Sequence, residues 1–246
     1  MLSDLEPMYM AIASWLNENG GVVSVLIFVS TLFLGWVSGI FAALRRRPKF
    51  EISTIEGPTF SCTYELGKEF NHHSVHRTGI VLYLSVANVG SAASSIDNVS
   101  VAYHWNLIPF SLLWLRRRLG WFWVEHQTAS LEDYWVKIGD NAKVYPFLTQ
   151  TSTLLPREPN TYVNIGQSTK GIVYFEQEES WGGCFPKESG GKTQVKIRIR
   201  DAFGKHHTLK TTIPVVSLQK AREFNRSFGK TLSELRGEKL PDDERI

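Results

Sequence analysis

Three short stretches of this 246-residue chain carry residue types able to do chemistry. The first is Asn71-His72-His73-Ser74-Val75-His76, which follows Glu65 and Glu69 and holds several metal-ligand side chains. His72 and His76 would present their rings to one ion only on a helix, where residues four apart share a face. The β-rich flanks and turn residues favour a solvated loop instead. His206 and His207, with Asp201 close by in sequence, are a weaker version of the same idea. The third stretch is Glu176, Glu178 and Glu179 followed by WGGCFPKESGGK, whose glycines look like a phosphate cradle but lack both G-K-[ST] and a following helix. Cys184 in that loop has no histidine near it in sequence to activate a thiolate. Cys62 is the only other cysteine, and the pair lacks the C-x-x-C spacing of a zinc or redox site, so free thiols are expected. No G-x-S-x-G, H-E-x-x-H or paired-carboxylate signature is present. The expectation is a protein that is not an enzyme and needs no metal and no cofactor.

The element that positions everything else is an anchor. Residues 20–44 read GGVVSVLIFVSTLFLGWVSGIFAAL without a charge, long enough for a hydrocarbon core of about 30 Å. A cleaved signal peptide needs a basic n-region and a shorter apolar run, whereas Asp4, Glu6 and Glu18 precede this one. Arg45, Arg46, Arg47 and Lys49 follow as a basic stop-transfer at 45–49, and no Lys or Arg precedes the span. That asymmetry predicts a single-pass protein of the cell membrane with its N-terminus outside and its C-terminal domain cytoplasmic. Gly35 and Gly39 form a G-x-x-x-G that would let two such helices approach and associate. Residues 1–19 carry Leu5, Met8, Tyr9, Ile12, Trp15 and Leu16 at helical spacing, which predicts an amphipathic surface helix with its corner at Gly20-Gly21.

From residue 50 to 216 the pattern becomes short β-branched and aromatic runs broken by Gly, Asn, Asp and Pro. Strands are expected at FEISTIEG, TFSCTYEL, GIVLYLSVANVG, IDNVSVAYHW, TYVNI, KGIVYFEQ, TQVKIRIR and HHTLKTTIPVV, with DAFGK as a hairpin connection. The third is apolar on both faces, whereas VKIRIR alternates as a strand with one wet face should. VLYLSVANVGSAASSIDNVSVAYHW together with VKIRIRDAFGKHHTLKTTIPV resembles strand pairs of Ig-like and fibronectin-like modules. The fold class expected is mainly β, an Ig-like or fibronectin-like sandwich of about seven to eight strands. Residues 217–246 should form a C-terminal helix, N-capped by Ser217, and a charged tail.

Residues 106–149 make too long an insertion for an ordinary sandwich loop. They include LIPFSLLWLRRRLGWFWV, in which Trp114, Trp121 and Trp123 surround Arg116, Arg117 and Arg118. Tryptophan with arginine suits a membrane interface, so these residues and Arg45, Arg46 and Arg47 are expected to meet anionic inner-leaflet lipid. The alternatives are packing over the open side of the sandwich, or cover by a protein partner. The net charge of +3 argues against a nucleic-acid partner. The function expected is a membrane-anchored scaffold that binds an unknown protein partner or itself. The alternative is a ligand-gated, nucleotide-sensing membrane effector of a bacterial defence or stress system that clusters through its transmembrane helix.

Overall fold

The computed structural model describes residues 5–40, 46–107, 110–112, 114–115, 120–153 and 158–230. It divides into two compact units, Met1–Arg47 and Pro48–Ile246, taken here one at a time.

The first unit holds helices α1 (Leu5–Glu18) and α2 (Gly20–Val37). The expected corner at Gly20-Gly21 is corrected: both glycines are helical, and the irregularity is confined to Asn19, with φ −108°. Asn19 N–H donates to Trp15 O and Val23 N–H to Asn19 O, so hydrogen bonding runs on through the junction. Eighteen residues at 1.5 Å rise give α2 about 27 Å, and it is apolar enough to cross a membrane. Two of its three hydroxyls are satisfied internally, Ser24 donating to Gly20 O and Thr31 to Ile27 O. That is what an apolar solvent demands of a polar side chain. The helix stops at a turn where Gly39 has φ +76°. Residues 41–45, the end of the expected span, lie outside the described residues.

The second unit is mainly β, built from antiparallel sheets, and contains all eight expected strands. They are β1 (Phe50–Thr54), β2 (Phe60–Phe70), β3 (His73–Asn88), β4 (Ser94–Tyr103), β8 (Tyr162–Val163), β9 (Ser168–Trp181), β11 (Lys192–Asp201) and β12 (His206–Pro214). Four more fall where none was expected: β5 (Phe122–Val124), β6 (Tyr134–Ile138) and β7 (Asn141–Tyr145) in the insertion, and β10 (Glu188–Ser189) in the glycine-rich loop.

One sheet is organised around β3, which pairs with β9 along one edge and with β1 and β2 in tandem along the other. Residues 55–59 interrupt that second edge, and Thr59 Oγ1 takes over as acceptor for Tyr83 N–H at 2.9 Å. The other sheet runs β12, β11, β4, β5. One core lies between the sheets, with Ile80, Leu82, Leu84, Val173 and Phe175 from the first against Val99, Val101, Val195, Ile197 and Ile199 from the second. A second core covers the outer face of the first sheet. There Phe60, Val81, Tyr83 and Tyr174 meet Tyr134 and Tyr145 of the β6–β7 hairpin and Ala221 of helix α3 (Leu218–Phe224). Burial on both faces is the reason β3 reads as a nearly unbroken apolar run. Ser217 caps α3, its side chain accepting from Lys220 N–H.

The insertion is therefore woven into the domain. Its β5 extends β4, then Thr128 N–H donates to Tyr174 O on the β9 edge, and after the hairpin Leu148 N–H donates to Ile172 O. It seals an edge that would otherwise present unpaired backbone groups.

Candidate functional site

Alternation on β11 sends Val195, Ile197 and Ile199 into the core and leaves Lys192, Lys196, Arg198 and Arg200 on the outer face of the second sheet. Register then fixes their neighbours: Lys210 stands opposite Lys196 on β12, Ala102 opposite Lys196 on β4, and Trp123 opposite Ala102 on β5. Ala102 is too small to fill its position, so the half-buried Trp123 ring lies over it. The Arg198 guanidinium sits 4.0 Å and Lys196 Nζ 5.7 Å from that ring's centre. Two residues earlier, Trp121 stacks on His104 at 4.1 Å and lies under Lys210 Nζ at 5.8 Å. Arg198 is paired with Glu125 at 2.8 Å and Arg200 with Asp97 at 2.5 Å. Lys196 and Lys210 have aromatic rings but no carboxylate among the described residues. The face thus combines two aromatic platforms with five cations against two carboxylates.

The remaining members of the expected interface are dispersed. Trp114 is half-buried, 5.1 Å from the ring of Phe110, near the exposed Leu112 and Leu115. Arg46 and Arg47 are exposed, whereas Arg45, Arg116, Arg117 and Arg118 lie outside the described residues. The segment bearing Trp114 leaves the domain beside the Phe70–Trp181 end: Asn106 N–H donates to Phe185 O, and a Cβ at Gly183 would strike Asn106 O at 2.1 Å. Phe50, where the chain enters β1, pairs with Asn88 at the opposite end of β3. Fifteen strand steps separate these ends by roughly 50 Å. Of the two glycines expected to mediate helix association, Gly35 is in α2, whereas Gly39 lies beyond its end with a left-handed backbone.

The histidine stretch is a correction to the expected loop. Phe70 pairs with His73, and Asn71 and His72 have φ 50° and 63°, a two-residue hairpin turn of the type that needs both central residues left-handed. His76 lies on β3, its ring 5.1 Å from Phe185. Among the described residues no three metal-ligand groups converge. His207 and Asp201 do meet, as a buried pair at 2.9 Å. His207 Nδ1 accepts the Phe50 N–H at 3.2 Å, so the proton sits on Nε2 and points at Asp201. Burial alone would raise the Asp201 carboxyl, but His207 and the backbone N–H groups of Lys205 and Phe203 outweigh it and hold the carboxyl below its ordinary value. This arrangement is a clasp, with both carboxylate oxygens and both ring nitrogens committed to the fold.

Cys62 and Cys184 are free thiols. Burial pushes the Cys62 thiol up to about 11 against the opposing pull of Arg222, which makes it a poor nucleophile.

One site was missed by sequence reasoning, in which Glu176 and Glu178 stood only as an acidic run before the glycine-rich loop. Arg77 on β3 and Glu176 on β9 approach at 3.4 Å, and Tyr174 donates its hydroxyl to Glu176 at 2.7 Å. Arg77 and Glu176 line a cavity of about 290 Å³ with Thr128, Leu131, Glu178 and Lys230. Burial raises Tyr64 beside it to about 12 despite the neighbouring Arg77. Its members lie on four segments up to 153 residues apart, brought together by the β3–β9 pairing and by the loops that cross it. By contrast, the wet face of VKIRIR was legible from alternation; which aromatic residues would cross it was not.

The chain matches no protein-family model and no curated protein.

Proposed function

We propose that this chain is a single-pass membrane protein, N-terminus outside, whose cytoplasmic β unit, read as an Ig-like sandwich, is an interaction module at the inner leaflet. The observation that carries the reading is the pairing, in one chain, of an uncharged helix about 27 Å long with a β unit whose one end displays large exposed apolar side chains. Phe70 and Trp181, in ring contact at 4.9 Å, are each about half exposed, and Phe110, Leu112 and Leu115 of the insertion are exposed as well. Contiguous exposed apolar surface of this kind marks interaction sites. The basic residues Arg45, Arg46, Arg47 and Lys49 support the cytoplasmic placement. The test is chemical cross-linking in native membranes, comparing the chain with the variant F70S/W181S. A cross-linked partner or self-adduct that the variant loses supports the reading, and a chain that stays monomeric and unadducted at its natural abundance sinks it.

The cavity beside Arg77 favours a second reading, a ligand-gated membrane effector. Its volume of about 290 Å³ suits a small polar signal such as a nucleotide. Thermal-shift measurements on the detergent-solubilised chain with ATP, GTP and cyclic nucleotides test it. A shift abolished by R77A would favour this reading over the scaffold.

A further inference from the structure

The outer face of the second sheet contains an arrangement that the fold alone does not account for. Lys196 and Lys210 are directly opposite each other on neighbouring strands, where like charges destabilise a sheet. The adjoining cations on this face, Arg198 and Arg200, each have a carboxylate, whereas among the described residues these two have only the rings of Trp123 and Trp121. Lys192 extends the same row. The excess is local, because the whole chain carries a net charge of only +3.

We propose that this face, centred on Lys196, Lys210, Trp121 and Trp123, is a docking surface for anionic lipid headgroups. The lipid phosphates would neutralise the opposed lysines, while the two indoles sit at headgroup depth, the level tryptophan prefers. A bilayer is the occupant selected by charge complementarity and by tethering: the membrane-spanning helix of the same chain holds this face at high effective concentration near lipid. The inference rests on the anchored reading given above and adds to it a defined surface.

The full chain is reconstituted into vesicles of phosphatidylcholine alone, or of phosphatidylcholine with about a third phosphatidylglycerol. Each lysine's rate of acetylation is then read by peptide mass spectrometry. Lys196 and Lys210 are expected to react about fivefold more slowly on the anionic vesicles, with the difference abolished at about 0.5 M salt. Lys68, whose side chain is 60% exposed and paired with Glu179, serves as the reference and should not change. Equal rates on both vesicles overturn the proposal. Slowing on both vesicles that grows with protein concentration overturns it in favour of a second copy of the chain. The variant K196Q/K210Q, which removes the opposed charges and keeps the strands, should be at least as heat-stable as the parent in neutral micelles. It should also lose any stabilisation that anionic lipid gives the parent. Alkaline carbonate separates the two levels: a chain stripped from the vesicles refutes the anchor itself, whereas a chain retained with unaltered lysine reactivity refutes this face alone.

Discussion

Asp201 and His207 form a buried pair in which the Nε2–H of His207 points at a carboxylate oxygen 2.9 Å away, while Nδ1 of the same ring holds the backbone N–H of Phe50. The hairpin between β11 and β12 is thereby fastened to the first residue of β1, 157 positions earlier in sequence.

Removing one side of a buried pair leaves the other uncompensated. H207A is expected to lower stability by about 3 kcal/mol, measured by chemical denaturation of the solubilised chain. D201N keeps the shape and removes the charge. Because folding depresses the Asp201 pKa, the carboxylate contributes fully above its unfolded value of about 4 and loses that contribution as pH falls through the folded value. The stability gap between parent and D201N should therefore be constant near neutrality and narrow below about pH 4.

Gly79 is required by Phe228. A Cβ at position 79 would lie 2.5 Å from Phe228 Cζ, which is packed against Phe60 and Tyr174 at ring distances of 5.7 Å. G79A should cost about 1–3 kcal/mol through overpacking and F228A about 3–5 kcal/mol through the cavity it leaves. The two changes should be less than additive, since the double variant has room for the new methyl. Additivity in a double-mutant cycle would show that the contact is not a tight one.

The hydroxyl of Tyr134 is buried and has no hydrogen-bond partner among the described residues. Y134F is expected to leave stability unchanged or raise it by about 1 kcal/mol, since an unsatisfied buried hydroxyl is costly. A loss of more than about 1 kcal/mol would reveal a bridging water or ligand at the small cavity shared with Tyr174 and Asn225.

Cys62 should resist alkylation in the folded chain. With its thiol pushed to about 11, roughly one molecule in a thousand is thiolate at pH 8 even before steric exclusion is counted. Mass-resolved labelling with iodoacetamide should find Cys62 modified only after denaturation.

Much of the fold was legible because period-two alternation and apolar length are local signals. VKIRIR announced both its buried and its wet face, and the two-sided apolar run of β3 announced a strand covered twice. The histidine stretch was misread because its turn is made by Asn71 and His72, without the glycine that usually advertises a left-handed pair. The strands of the insertion were missed because β5 is three residues long and is held by β4, twenty positions back, rather than by its own pattern. Arg77 gave no signal at all, and Glu176 stood out only as part of an acidic run, since a charged residue on a strand reads as a wet position until a second layer arrives to cover it.

The tandem edge of β3 and its other partner, β9, are separated in the order of biosynthesis. Once Asn88 has been made, 93 residues must follow before β9 is complete, a delay of about 5–19 s at ordinary elongation rates. Throughout that interval the nascent chain carries a long strand that is apolar on both faces and unpaired along one side, with the apolar helix α2 already synthesised. The newborn domain is most vulnerable to misassociation in that interval, so chaperone access during synthesis, rather than final stability, should set its yield.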